Sequence, residues 1–246
     1  EAKEHPMCLN NSFEVASVTK MVTATVVMQL VEEGKLLLDE AWSQGSGDEA
    51  AQLVAKNVAT WPWNRSGQAT VRQLLQHTSG YPNFWDDHSP FVQAFEAEPH
   101  RLWSTWELLS YAAAMPSSSR DTFSYADTNY LLLGLLVETI TQQPLARAFR
   151  ERVFDPAGMS VSGTYCSYIE EVPKSAPPLS HRYMGTIRIT GNEQHSADSF
   201  AAGGVVSTAA DLDAFLASLA AGKLFPKAGK ATLAQMMSWI PTDRGP

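Results

Sequence analysis

At 246 residues, 44% of them hydrophobic and 18% charged, the chain has the length and composition to bury a sizeable core as one large domain or two lobes. Its 18 basic and 26 acidic residues give a net charge of −8, and the basic residues are scattered, which argues against a nucleic-acid partner. No apolar run approaches the ~20 residues a membrane helix needs, the N-terminus has no signal-peptide layout, and no repeat period or low-complexity tract stands out.

The first informative stretch is Phe13-Glu-Val-Ala-Ser-Val-Thr-Lys-Met-Val-Thr-Ala-Thr-Val-Val-Met-Gln-Leu-Val-Glu-Glu-Gly34. It reads as a short extended run entering a buried helix that Gly34 stops. Ser17 falls in the first turn and Lys20 three residues on, a spacing that brings hydroxyl and amine to one face. The flanking residues are apolar on nearly every side, and burial of an amine disfavours its charged form. A neutral amine beside a hydroxyl is a base beside a nucleophile. The unpaired N–H groups of a helix's first turn could then help hold an oxyanion. Taken alone, a Ser-x-x-Lys spacing is more often an N-cap followed by a surface lysine.

Residues 43–68, rich in Gly, Ser, Asn, Pro and Trp, read as an irregular excursion with one helix at 49–58. Thr70-Val-Arg-Gln73 has the form of a capping box and opens a short helix that ends at Gln76-His-Thr-Ser-Gly80. His77 is the histidine that most invites a reading as a catalytic base. Its place at a helix end favours a structural role instead, with the imidazole fixing a loop by hydrogen bonds. Residues 81–99 read as a loop whose Phe84, Trp85, Phe91 and Phe95 either line a substrate entrance or pack onto the helices. Ser104-Thr-Trp-Glu107 is a second capping box.

The second chemical stretch is Phe123-Ser-Tyr-Ala-Asp-Thr-Asn-Tyr-Leu-Leu-Leu-Gly134. Thr128 or Asp127 is placed to cap a buried helix, which leaves Tyr125 and Asp127 on a loop anchored to a rigid element. Residues 145–159 pattern as an amphipathic helix, Arg182-Tyr-Met-Gly-Thr-Ile-Arg-Ile-Thr190 as a hairpin strand, and Thr208 to Asp211 as a third capping box after a glycine turn. A last helix is expected over 231–239. Cys8 and Cys166 lie 166 − 8 = 158 positions apart and have no metal-ligand spacing, and the sequons at Asn10 and Asn64 read as chance occurrences.

Three stretches in this order, Ser17-Val-Thr-Lys20, Tyr125-Ala-Asp127 and Gly203-Gly-Val-Val-Ser-Thr-Ala-Ala-Asp-Leu212, resemble the serine β-lactamase and penicillin-binding-protein superfamily. The likeness is to its class C-like branch, which includes class C β-lactamases, D-Ala-D-Ala carboxypeptidases, D-aminopeptidases and β-lactamase-fold esterases. Leu74-Leu-Gln-His-Thr-Ser-Gly80 and Phe154-Asp-Pro-Ala-Gly-Met159 look like further landmarks of it. The resemblance implies an α+β, β-lactamase/transpeptidase-like fold in one domain over residues 1–246. A helical lobe would occupy about 40–180, and parts of an antiparallel sheet about 1–39 and 181–246, with both ends apparently cut. It further implies that Ser17 is the acylated nucleophile, Lys20 its proton acceptor, and Tyr125 a general base or a relay to the leaving group. No cofactor or metal is implied, the partner is a small-molecule or peptide substrate, and a periplasmic or secreted location is favoured.

Two departures shape the expected chemistry. The position matched by Asp127, a substrate-binding candidate, is more often asparagine in the family, and an ionised aspartate only accepts hydrogen bonds. Unless Asp127 is protonated or paired with Lys20, peptide, amide or ester hydrolysis, with D-amino-acid peptides and esters in front, is therefore favoured over that of a β-lactam. The family's third motif, Lys-Thr-Gly or His-x-Gly on a strand, is spelled here only by Lys227-Ala-Gly229, between two expected helices. A non-hydrolytic penicillin-binding sensor or pseudoenzyme of the same fold is the alternative.

Overall fold

The computed structural model describes residues 7, 11–43, 69–87, 89–98, 101–184, 187–188, 200–238 and 240–241. The expected helix at 49–58, Cys8, Asn10 and Asn64 lie outside the described residues.

The chain enters through β1 (Phe13–Glu14), passes a 3-10 turn (Ala16–Val18) and continues into α1 (Thr19–Glu32). Several β-branched residues in α1 are poor helix formers, so packing rather than propensity must hold it. Eleven of its 14 residues are buried, and α1 packs on other elements along its length, as expected of a helix that is apolar all round. Its buried polar groups serve as anchors. The Thr23 hydroxyl donates to the Ala201 carbonyl at 2.7 Å, the Val205 amide donates to Thr19 Oγ1 at 3.0 Å, and Gln29 Nε2 donates to the Leu224 carbonyl at 2.6 Å. Gly34, in the left-handed region at φ 77°, ends the helix as its sequence predicts.

Among the described residues, six further helices precede the second half of the sheet. α2 (Val71–Leu75) carries the reciprocal Thr70–Gln73 capping box, and α4 (Thr105–Ala113) the Ser104–Glu107 one. Between them the expected loop contains a helix, α3 (Pro90–Ala97), started by the Ser89 side chain accepting from the Val92 amide with proline in the first turn. Its aromatics settle the alternative left open by the sequence. Phe84, Phe91, Phe95 and Trp103 are buried, with Phe91 edge-on to Phe84, Trp85, Trp103 and Tyr111 at 5.0–5.6 Å between centroids. α5 (Asp127–Thr141) begins without a side-chain cap. Asp127 turns to Lys20 and Thr128 donates to the Pro82 carbonyl at 2.7 Å, so neither expected cap forms. α6 (Leu145–Phe149) runs through a π turn (Arg150–Phe154) into α7 (Asp155–Ala157), and the run is amphipathic as expected, with Arg147, Glu151 and Asp155 exposed at four-residue spacing and Phe149, Val153 and Phe154 buried.

β2 (Tyr165–Cys166) and β5 (Val205–Ser207) complete an antiparallel sheet in the order β1-β5-β2, with Phe13 opposite Ser207 and Tyr165 opposite Val206. β3 (Tyr183–Met184) and β4 (Ile187–Arg188) form the expected hairpin. The central strand leads into α8 (Ala209–Ala220), and α9 (Lys230–Met236) follows. Only half of the third capping box forms. Thr208 accepts from the Asp211 amide, while the Asp211 carboxylate bonds the Ser160 amide and the Ser160 and Thr164 hydroxyls, all at 2.8 Å.

The consequence for the site is a frame around the start of α1. β1 delivers Ser17, α5 carries Asp127, and a 3-10 turn (Phe200–Ala202) just ahead of β5 lies against both α1 and α5.

Candidate active site

Ser17 sits in the 3-10 turn ahead of α1 and is exposed. The residue before it, Ala16, has φ 47°, a left-handed conformation that costs a non-glycine residue energy. One turn on, Lys20 is buried at 6% exposure. Its Nζ donates to Ser17 Oγ at 3.1 Å, to Asp127 Oδ1 at 2.5 Å and to the Ala202 carbonyl at 2.8 Å. Three acceptors match the three N–H bonds of an ammonium. The nitrogen also lies over the rings of Tyr125 and Tyr130, at 5.0 and 5.6 Å from their centroids.

On its other side Ser17 Oγ lies 2.7 Å from the phenolic oxygen of Tyr125. The Tyr125 hydroxyl in turn makes a longer approach, 3.5 Å, to Asp127 Oδ1. Four side chains from two distant parts of the sequence thus close a ring of polar contacts in which Ser17 has a proton donor on one side and a hydroxyl on the other. All four candidates meet in it. Asp127, expected to bind substrate, faces Lys20 directly.

A second layer holds Tyr125. The His77 ring stacks on the Tyr125 ring at 4.4 Å and 28°. His77 Nδ1 accepts from the Ala126 amide at 3.1 Å, with Asn129 Nδ2 3.3 Å away. Asn129 Oδ1 accepts from the buried Ser79 hydroxyl at 2.6 Å, and the Asp127 amide donates to Asn83 Oδ1 at 3.1 Å. Burial, reinforced by the Lys20 charge, pushes the His77 imidazole down to about 4, so it is neutral at ordinary pH. Burial holds the Tyr130 phenol well above its usual range, and that hydroxyl donates to the Leu75 carbonyl at 3.1 Å. Tyr130 is therefore locked as a donor, which leaves Tyr125 as the phenol available to Ser17.

Lys20, His77 and Tyr130 also border a largely apolar cavity of about 780 Å³ that continues past Met21, Ala24 and Met28 of α1. Neither Ser17 nor Tyr125 borders it, so the nucleophile candidate opens to solvent elsewhere. The Lys227-Ala-Gly229 spelling lies apart from the site. The amides of Lys227 and Ala228 donate to the Glu32 carboxylate, and Lys227 Nζ to the Glu32 carbonyl. Glu32 is 12 residues beyond Lys20, which is roughly 18 Å along a helix. A lysine there complements the negative end of α1 and does not reach Ser17. Among the described residues, no cluster of His, Cys, Asp or Glu could hold a metal ion, and no helix is long and apolar enough to cross a membrane.

The Ala202 carbonyl, Asn83, Asn129 and Ser79 are contributions the sequence did not reveal. The glycine turn at Gly203 signalled a bend near Ala202, but no pattern specifies where a backbone carbonyl points.

Comparison with known proteins decides the family, since the Beta-lactamase family model matches residues 2–246. The chain belongs to the beta-lactamase family. Within it, the chain is 32% identical to protein Rv1367c of Mycobacterium tuberculosis over 171 residues, covering 66% of this chain and 41% of that protein. Among solved structures, a D-stereospecific amidohydrolase from Streptomyces sp. superposes with TM-score 0.75 at 25% identity, covering 95% of this chain and 67% of that one. A D-amino acid amidase from Ochrobactrum anthropi SV3 superposes with TM-score 0.72 at 26% identity, covering 94% and 62%. The beta-lactamase/transpeptidase fold expected from the motifs is thus the fold observed, with many helices and a small antiparallel sheet. The chain spans less than half the length of curated relatives such as Rv1367c.

Proposed function

We propose that this beta-lactamase-family protein is a serine hydrolase that works through a covalent acyl-enzyme on Ser17, with amides, peptides or esters of D-amino acids as its preferred substrates. One observation carries the reading: Ser17 Oγ is held 3.1 Å from Lys20 Nζ and 2.7 Å from the Tyr125 hydroxyl while remaining open to solvent. A nucleophile within hydrogen-bond reach of proton-transfer groups that are themselves oriented by a further residue is the arrangement nucleophilic catalysis requires.

Ser17 Oγ attacks the substrate carbonyl carbon and gives up its proton to the Tyr125 hydroxyl, 2.7 Å away, as that hydroxyl passes its own to the Asp127 carboxylate, 3.5 Å on. The bond to the leaving nitrogen or oxygen breaks, and that atom takes the proton back through Tyr125. Water then attacks the Ser17 ester and releases the acid. Asp127 and the Ala202 carbonyl hold Lys20 Nζ beside Oγ. The preference for D-amino-acid substrates is supported by the likeness to the Streptomyces D-stereospecific amidohydrolase and the Ochrobactrum D-amino acid amidase.

A substrate panel tests this reading. D-phenylalanine p-nitroanilide, its L-enantiomer, p-nitrophenyl acetate and a chromogenic cephalosporin are compared with wild-type protein and Ser17→Ala. The reading expects Ser17-dependent turnover with the D-anilide or the ester ahead of the cephalosporin. Turnover that survives Ser17→Ala, or a cephalosporin as the best substrate, contradicts it. A cephalosporin or penicillin adduct that forms and does not turn over would assign the protein to penicillin sensing instead.

A further inference from the structure

His77 carries more contacts to the Tyr125 segment than a loop anchor needs. Its carbonyl accepts from the Ser124 amide at 2.8 Å, its ring lies on the Tyr125 ring at 4.4 Å, and its Nδ1 accepts from the Ala126 amide at 3.1 Å. One residue therefore grips three consecutive positions with three different groups. His77 itself has φ 56°, a left-handed conformation unusual for a residue with a side chain. Such outliers persist where the surroundings over-determine them. Here the surroundings include the chain Ser79–Asn129–His77: Asn129 Oδ1 accepts from the Ser79 hydroxyl, so the Asn129 amide nitrogen faces Nδ1.

We propose that His77 is a positioning residue for the reaction, setting the rotamer and backbone of Tyr125 so that the phenolic oxygen meets Ser17 Oγ. The inference rests on the acyl-enzyme reading above, and it assigns His77 no proton-transfer role. The ring cannot reach Ser17 except through Tyr125, and both of its Nδ1 contacts require an unprotonated nitrogen. The titratable groups around it are Lys20 from α1, Tyr125 from the loop and Tyr130 from α5. None of them is an anion that would favour a charged imidazole, and Lys20 opposes it. An aligned phenol matters because a proton transfer depends steeply on the donor–acceptor geometry, and a displacement of ~1 Å can cost about 100-fold in rate.

The test is a double-mutant cycle read by Ser17 acylation, measured as the pre-steady-state burst with p-nitrophenyl acetate on full-length folded protein. His77→Gln should slow acylation by about 10- to 100-fold, with the concentration for half-maximal burst rate changed about 3-fold or less. Tyr125→Phe should slow it comparably, and the double variant should be no slower than Tyr125→Phe alone, because His77 acts only through the phenol. A merely structural His77 would give multiplicative losses, and multiplicative losses overturn the inference. Should His77→Gln fail to fold, Ser79→Ala, which removes the outer support of the His77–Asn129 pair together with the acceptor of the Tyr81 amide, carries the same cycle. It should slow acylation about 3- to 10-fold in the wild-type background and not at all beside Tyr125→Phe. Wild-type protein that forms no Ser17 adduct overturns the hydrolase reading and this inference together. A labelled wild type with independent His77 and Tyr125 effects overturns only the role of His77.

Discussion

Replacing Asp127 with alanine isolates the ion pair that holds Lys20. The two side chains are 7% and 16% exposed and 2.5 Å apart, so the pair is nearly but not wholly removed from water. Asp127→Ala leaves a buried ammonium with two neutral acceptors, Ser17 Oγ and the Ala202 carbonyl, in place of three partners of which one is charged. Removing one member of a buried pair costs about 3–5 kcal/mol, and the residual exposure of Asp127 places this site at the lower end, about 3 kcal/mol. For a chain of this size that is a fall in Tm of roughly 6–12 °C. Differential scanning calorimetry and urea unfolding of wild type and Asp127→Ala give the number directly. Asp127→Asn should lose about half as much, since the amide oxygen still accepts from Lys20 while the charge is gone. If Asp127→Ala unfolds within ~1 kcal/mol of wild type, the pair is worth no more than a surface ion pair and the argument that it fixes Lys20 is wrong.

Other consequences of the same contacts can be measured separately. Gly80 has φ +75° and a Cβ there would stand 2.6 Å from the Ser118 carbonyl oxygen. Gly80→Ala should therefore cost about 2 kcal/mol or more in urea unfolding and slow acylation by moving the segment that leads to Tyr125. An unchanged midpoint would contradict that. The pH dependence of stability follows from His77, whose folded value of about 4 lies below its ordinary 6.5. Between those values the unfolded chain binds the extra proton, so stability falls as pH drops from 6.5 towards 4 and this contribution is flat outside that window. The loss is on the order of 3 kcal/mol, and the difference between wild-type and His77→Gln unfolding curves across the window should reveal it. Parallel curves would contradict a buried neutral imidazole.

What the sequence made legible, and what it did not, divides by the range of the interaction involved. Ser17 and Lys20 were readable because helical spacing alone brings i and i+3 together. The Thr70 and Ser104 capping boxes were readable because both partners lie within three residues. Asp127 and Thr128 misled as caps because each had a better partner over 40 residues away, Lys20 and the Pro82 carbonyl. α3 was missed because its aromatic residues suggested a loop, although Ser89-Pro90 is a helix-start signal. His77 hydrogen-bonds a loop as its place at a helix end suggests, but its stack on Tyr125 joins residues 48 apart and leaves no local trace. Lys227-Ala-Gly229 spells the third motif, but its place between two helices argued against that role, and the fold puts it at the far end of α1 on Glu32.

The central claim is that Ser17 is the nucleophile, and it is tested most directly by covalent trapping. Wild-type protein and Ser17→Ala are incubated with a fluorescent penicillin and with a fluorophosphonate probe, then digested and analysed by peptide mass spectrometry. The account predicts a single adduct, on the peptide carrying Ser17, formed by at least one of the two probes and absent from Ser17→Ala. A folded wild-type protein that acquires no adduct from either probe, or one labelled equally after Ser17→Ala, would contradict it.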